Sequence, residues 1–75
     1  MTFKQWVNET FGASGGGKAA RFLGISYRTF RSYYAYERFP YTTNCQVIVL
    51  KSENKIDVQM WQQDYLNNKN KKVNA

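Results

Sequence analysis

The stretch that decides the fold is "KAARFLGISYRTFRSYY", Lys18 to Tyr34. Apolar residues at three-and-four spacing on both sides of Gly24-Ile25-Ser26 read as two short helices joined by a tight turn. Such a pair needs a small residue where the helices cross and Gly at the turn. It also needs apolar residues just before the turn, just after it and on the inward side of the second helix. Ala20, Gly24, Leu23, Ile25, Phe30 and Tyr33 fill those places. Gly24 is expected as the left-handed cap of the first helix and Ser26 as the N-cap of the second. The pattern is that of a helix-turn-helix.

With Phe30 and Tyr33 turned inward, the outward side of a reading helix over 27–36 carries Tyr27, Arg28, Arg31, Ser32 and Ala35. An arginine on such a face matches guanine O6 and N7 with two parallel hydrogen bonds, worth about 1–3 kcal/mol of discrimination. Tyr27, Arg28, Arg31 and Ser32 are therefore the candidate base readers, and a solvated cationic face is the plainer alternative. Gly17, Lys18 and Arg21 lie near the start of the preceding helix, where free N–H groups and the helix dipole attract an anion. They are expected on DNA phosphates together with Ser26 and Arg38, positioning the domain without reading sequence.

Upstream, Gly12, Gly17 and Lys18 stand at the spacing of a nucleotide-binding phosphate loop. That loop ends in Ser or Thr to hold magnesium, and here the position is Ala19. It also follows a strand, whereas Phe3, Trp6, Val7 and Phe11 recur at helical spacing after a Thr2–Gln5 capping box. Gly12 should end this first helix. The phosphate implied by the glycines is then that of DNA.

Composition narrows the choice further. Eleven Lys and Arg against five acids give a net charge of +6, which favours a polyanion. Seventy-five residues make one domain near the lower limit for a single core, but aromatics at 17% supply large side chains to fill it. Cys45 is alone and there is no His, so disulfide frameworks and common zinc spacings are absent. No nucleophile, base and orienting group converge in the sequence, so neither an enzyme nor a cofactor or metal is expected. The longest apolar run, Val47 to Leu50, is too short for a membrane span, and a cytoplasmic protein is expected.

Downstream of Pro40 the pattern divides. "CQVIVLKSE" suits a buried helix or a strand, and "NKIDVQMWQQDYL" alternates like a strand while also reading as a helix capped by Asp57. Asn67 to Ala75 is polar and basic, and is expected to be a disordered tail whose Lys69, Lys71 and Lys72 add phosphate contacts.

Taken together, the first helix ending in Phe11-Gly12, "KAARFLGIS", the Arg38-Phe39-Pro40 segment and "NKIDVQMW" resemble the Cro proteins of lambdoid phages. The resemblance covers roughly residues 2–66. It implies an all-α fold, a small four- to five-helix lambda-repressor/Cro-like domain over 1–66. The alternative found in another branch is three helices followed by a C-terminal β-hairpin. It also implies a homodimeric transcriptional repressor on double-stranded, pseudo-palindromic operator DNA. Trp61, Tyr65 and Leu66 are the candidate dimer contacts. Arg-Phe-Pro and "DVQMW" are similar to winged-helix excisionases as well, a second resemblance. A different class, an antirepressor binding protein through Tyr34, Tyr36, Phe39 and Tyr41, would keep the fold and lack a DNA site.

Overall fold

In a computed structural model the chain forms five helices: α1 (Phe3–Phe11), α2 (Gly16–Leu23), α3 (Tyr27–Tyr34), α4 (Thr42–Lys51) and α5 (Val58–Asn74). The structure describes the backbone of residues 1–74 and the side chains of residues 1–69. There is no strand among the described residues, which removes the β-hairpin alternative and the wing that the excisionase likeness requires. The fold is all-α. No helix among the described residues is long and apolar enough to cross a membrane.

Local chemistry sets the helix boundaries. Thr2 Oγ1 accepts the Gln5 N–H at 3.2 Å and Gln5 Oε1 accepts the Thr2 N–H at 2.9 Å, so α1 begins with the expected capping box. Helix α2 has no side-chain cap and starts from Gly15. Glycine is required there by crowding: a Cβ on Gly15 would lie 2.1 Å from the Phe11 carbonyl oxygen. After α2, Gly24 takes φ 72°, and the N–H groups of Gly24 and Ile25 bond back to Arg21 O and Ala20 O, each at 3.1 Å. This closes a Schellman motif and turns the chain into α3. Ser26 Oγ accepts the Thr29 N–H at 3.1 Å as the N-cap of α3.

Helix α3 stops at Tyr34, two residues short of the 27–36 expected from sequence. A second Schellman closure ends it, with Tyr36 at φ 63° and Glu37 N–H bonded to Ser32 O at 2.9 Å. Tyrosine in that conformation is disfavoured by Cβ sterics, so the sequence carried no glycine to mark the stop. The ambiguous "CQVIVLKSE" is helical and buries Cys45, Ile48 and Ser52. Buried Ser52 is satisfied: its Oγ donates to Val49 O at 2.6 Å and accepts the Ile56 N–H at 3.3 Å, locking the α4–α5 turn.

Asp57 caps α5 by accepting the Met60 N–H at 3.1 Å. The helix then runs on to Asn74, so the disorder expected from residue 67 gives way to helix. Bonds one turn apart support that extension: Gln63 Nε2 to Asn67 Oδ1, and Asn68 Nδ2 to Asp64 Oδ1, both at 3.1 Å. The phosphate roles expected of Lys71 and Lys72 concern side chains outside the described residues.

Helix α2 packs against α1, α3 and α4, and aromatic rings fill the space around it. Phe3 is central, with its ring 5.7 Å from Phe30, 6.4 Å from Tyr33 and stacked on Trp61 at 4.9 Å. Trp61, a candidate dimer contact by sequence, is only 2% exposed and belongs to this core instead. Its indole is consumed by Phe3 and Phe39, leaving nothing to offer a partner. Tyr65 is half-buried against Phe39, and of the three dimer candidates only Leu66 is exposed.

Candidate nucleic-acid interface

The candidate interface is built on the α2–turn–α3 unit. Ala19, Ala20 and Leu23 turn one side of α2 inward, and Phe30 and Tyr33 do the same for α3. Gly16 lets the two approach: a Cβ there would meet the Phe30 ring at 2.9 Å. With those inward positions fixed, Tyr27, Arg28, Arg31 and Ala35 are exposed and Ser32 is half-buried.

These residues converge. Tyr27, Arg28, Arg31, Ser32 and Ala35 line one hollow of about 590 Å³ together with Thr29, Glu37 and Arg38. Arg38 is brought there because its backbone N–H, like that of Glu37, bonds to Ser32 O and folds the chain back across the end of α3. Three guanidinium-bearing residues thus share one surface with a half-exposed phenol. The hydroxyl of Ser32 donates to Arg28 O at 3.2 Å, so it faces the hollow as an acceptor.

A second hollow, of about 280 Å³, shares Tyr27, Arg31 and Ala35 with the first and extends to Ala13, Ser14 and Gly16. The glycine-rich loop therefore borders the α3 surface. Ala13, Ser14 and Thr29 were not among the sequence candidates. The run of glycines marked the loop, but short polar side chains there give no signal of their own.

Gly17, Lys18 and Arg21 form a separate strip. All three are exposed on α2, and Arg21 follows Lys18 and Gly17 by three and four residues, which puts them on one side of the helix. Nothing stands within 4 Å of a Cβ placed on Gly17. Neither Lys18 nor Arg21 lines the two hollows beside α3. Ser26 is exposed, but its Oγ already serves Thr29, accepting the backbone N–H and donating to Thr29 Oγ1 at 2.9 Å.

Two other cations are occupied within the fold. Lys51 Nζ donates to Phe22 O at 3.3 Å, at the C-terminal end of α2 where the dipole favours positive charge. Lys4 Nζ sits 4.9 Å from the Tyr34 ring centre and 5.3 Å from that of Tyr36.

The rings expected to face a protein partner do not form an exposed face. Tyr34 is half-buried on Phe30 and its hydroxyl donates to Asn8 Oδ1 at 2.6 Å. Phe39 packs on Trp61 and Tyr65. Tyr36 is held by burial and by a hydrogen bond to Asp64, which together push its hydroxyl up to about 12. Only Tyr41 stands free in solvent, 84% exposed. Burial also raises the Cys45 thiol, which keeps it protonated and a poor nucleophile. Among the described residues no group of three or more His, Cys, Asp or Glu is placed to hold a metal ion.

No protein-family model, curated protein or solved structure matches this chain.

Proposed function

We propose that this protein is a sequence-specific DNA-binding transcriptional repressor of the Cro type, acting as a homodimer on a pseudo-palindromic operator. The observation that carries the reading is the gathering of Arg28, Arg31 and Arg38 with Tyr27 and Ser32 on the free side of α3. That helix is the second of a helix-turn-helix, the one that enters a major groove. Arg28 and Arg31 read base edges in this scheme, Tyr27 contacts a thymine methyl group or a base edge, and Ser32 accepts a hydrogen bond. Gly17, Lys18, Arg21 and Arg38 hold phosphates, and Ser26 joins them by turning its hydroxyl proton from Thr29 Oγ1 to a phosphate oxygen while its oxygen goes on capping α3. Two such surfaces related by a two-fold axis fit half-sites about 34 Å apart, one turn of the double helix. A place in the cytoplasm of a bacterial host belongs to the same proposal.

The test is selection of binding sites from a random duplex pool by the purified protein, followed by affinity for the selected and a scrambled site. The expected motif has two-fold symmetry and binds at least about a thousandfold tighter than the scrambled duplex. Arg28→Ala and Arg31→Ala should narrow that gap by about 1–3 kcal/mol each, while Lys18→Ala weakens both duplexes alike. Recovery of no motif, or equal affinity for every duplex, would remove the sequence-specific reading.

A further inference from the structure

Between Arg38 and Lys51 the chain carries no charged residue. That stretch forms one wall of a groove of about 680 Å³ between α4 and the start of α5, lined by Phe39, Pro40, Gln46, Leu50 and Val58 among others. None of the groove's lining residues is charged, in a chain whose net charge is +6. Of the lining residues, Leu50 on α4 is 68% exposed and Val58 at the start of α5 is 40% exposed. An exposed apolar side chain on the wall of an uncharged hollow suits a two-fold contact, because each copy then offers both halves of the fit. A charge-free face also lets two copies of so basic a chain meet without repulsion.

We infer that the α4 groove is the homodimer interface, with Leu50 of each copy seated in the groove of the other. This deepens the dimeric part of the proposed function and rests on it. It replaces Trp61, Tyr65 and Leu66 as the contact set, since Trp61 is core and Tyr65 is half-buried against Phe39. The groove shares no residue with the hollow on α3, so pairing through α4 leaves Arg28 and Arg31 exposed to DNA.

Sedimentation equilibrium without DNA tests the interface separately from DNA binding. The wild-type chain, 8.8 kDa as a monomer, is expected at twice that mass by about 100 μM. Leu50→Asp should weaken association roughly a hundredfold or more by placing an unpaired carboxylate in the contact, with an unchanged melting curve. Should that variant fail to fold, Val58→Lys gives the same reading from the opposite wall. Leu66→Asp should remain dimeric. A monomeric wild-type chain would overturn the assignment and leave the groove for another protein. Wild-type association by folded Leu50→Asp, or dissociation by Leu66→Asp, would overturn it too. None of these results depends on whether a DNA motif is selected.

Discussion

At the scale of single residues, the glycines of "GASGGGK" divide by what surrounds each Cα. Gly15 is hemmed in by the backbone of Phe11, with its carbonyl carbon 2.7 Å and its oxygen 2.1 Å from a prospective Cβ. Backbone at the end of a helix has little room to retreat, so Gly15→Ala should destabilise by about 1–3 kcal/mol, as overpacking does. Gly17 has open space and a helical backbone, and Gly17→Ala should stabilise by up to about 0.5–1 kcal/mol through helix propensity. Urea denaturation of the two variants reads both signs. Equal effects would mean that the loop adapts and that the crowding at Gly15 is not a constraint. Affinity measured on the same Gly17→Ala protein adds a second reading. A more stable protein that binds every duplex less well is the signature of a phosphate seated against this amide, whereas unchanged binding takes Gly17 out of the contact set.

At the scale of elements, helix starts were easier to read than helix ends. Thr2, Ser26 and Asp57 each announce a start through a side-chain oxygen, and each serves as the cap expected of it. Gly12 and Gly24 announce stops. The stops of α3 and α4 fall instead on Tyr36 and Glu53, residues of positive φ that no sequence rule would choose. Helix α4 itself was ambiguous because Val47 and Leu50 place apolar residues on its outer side, blurring the period that Cys45 and Ile48 would otherwise show. The site followed the same division: α3's outward residues were legible from the inward ones, while Arg38 joins them only through the turn at Tyr36. That turn is held from α5, where Asp64 accepts a hydrogen bond from the Tyr36 hydroxyl. Because burial and this bond raise the hydroxyl from 10.0 to about 12, the folded state keeps a proton that the unfolded chain releases. The resulting stability is present in full below pH 10, falls as pH rises, and is gone above about pH 12. Denaturation followed across that window should show a steeper loss for wild type than for Tyr36→Phe. Parallel curves would mean that Asp64 does not hold the turn.

At the scale of the whole molecule, the distribution of charge separates cations that hold the fold from cations open to a ligand. Lys51 is spent on the end of α2 and Lys4 on two tyrosine rings, whereas Lys18, Arg21, Arg28, Arg31 and Arg38 are exposed within one short span whose only acid is Glu37. If Lys18, Arg21 and Arg38 each neutralise a phosphate, a dimer displaces counterions from about six, and log K should fall against log salt with a slope of about −5. Lys18→Ala removes one such contact per protomer and should make the slope shallower by about two units for the dimer, with no change in melting temperature. Lys51→Ala should do the reverse, lowering the melting temperature through the lost bond to Phe22 O while leaving the slope as it was. Salt titrations of the selected operator with the three proteins decide the matter. Matching slopes for Lys18→Ala and Lys51→Ala would mean that the protein binds through its net charge, and that no division between structural and contacting cations governs its hold on DNA.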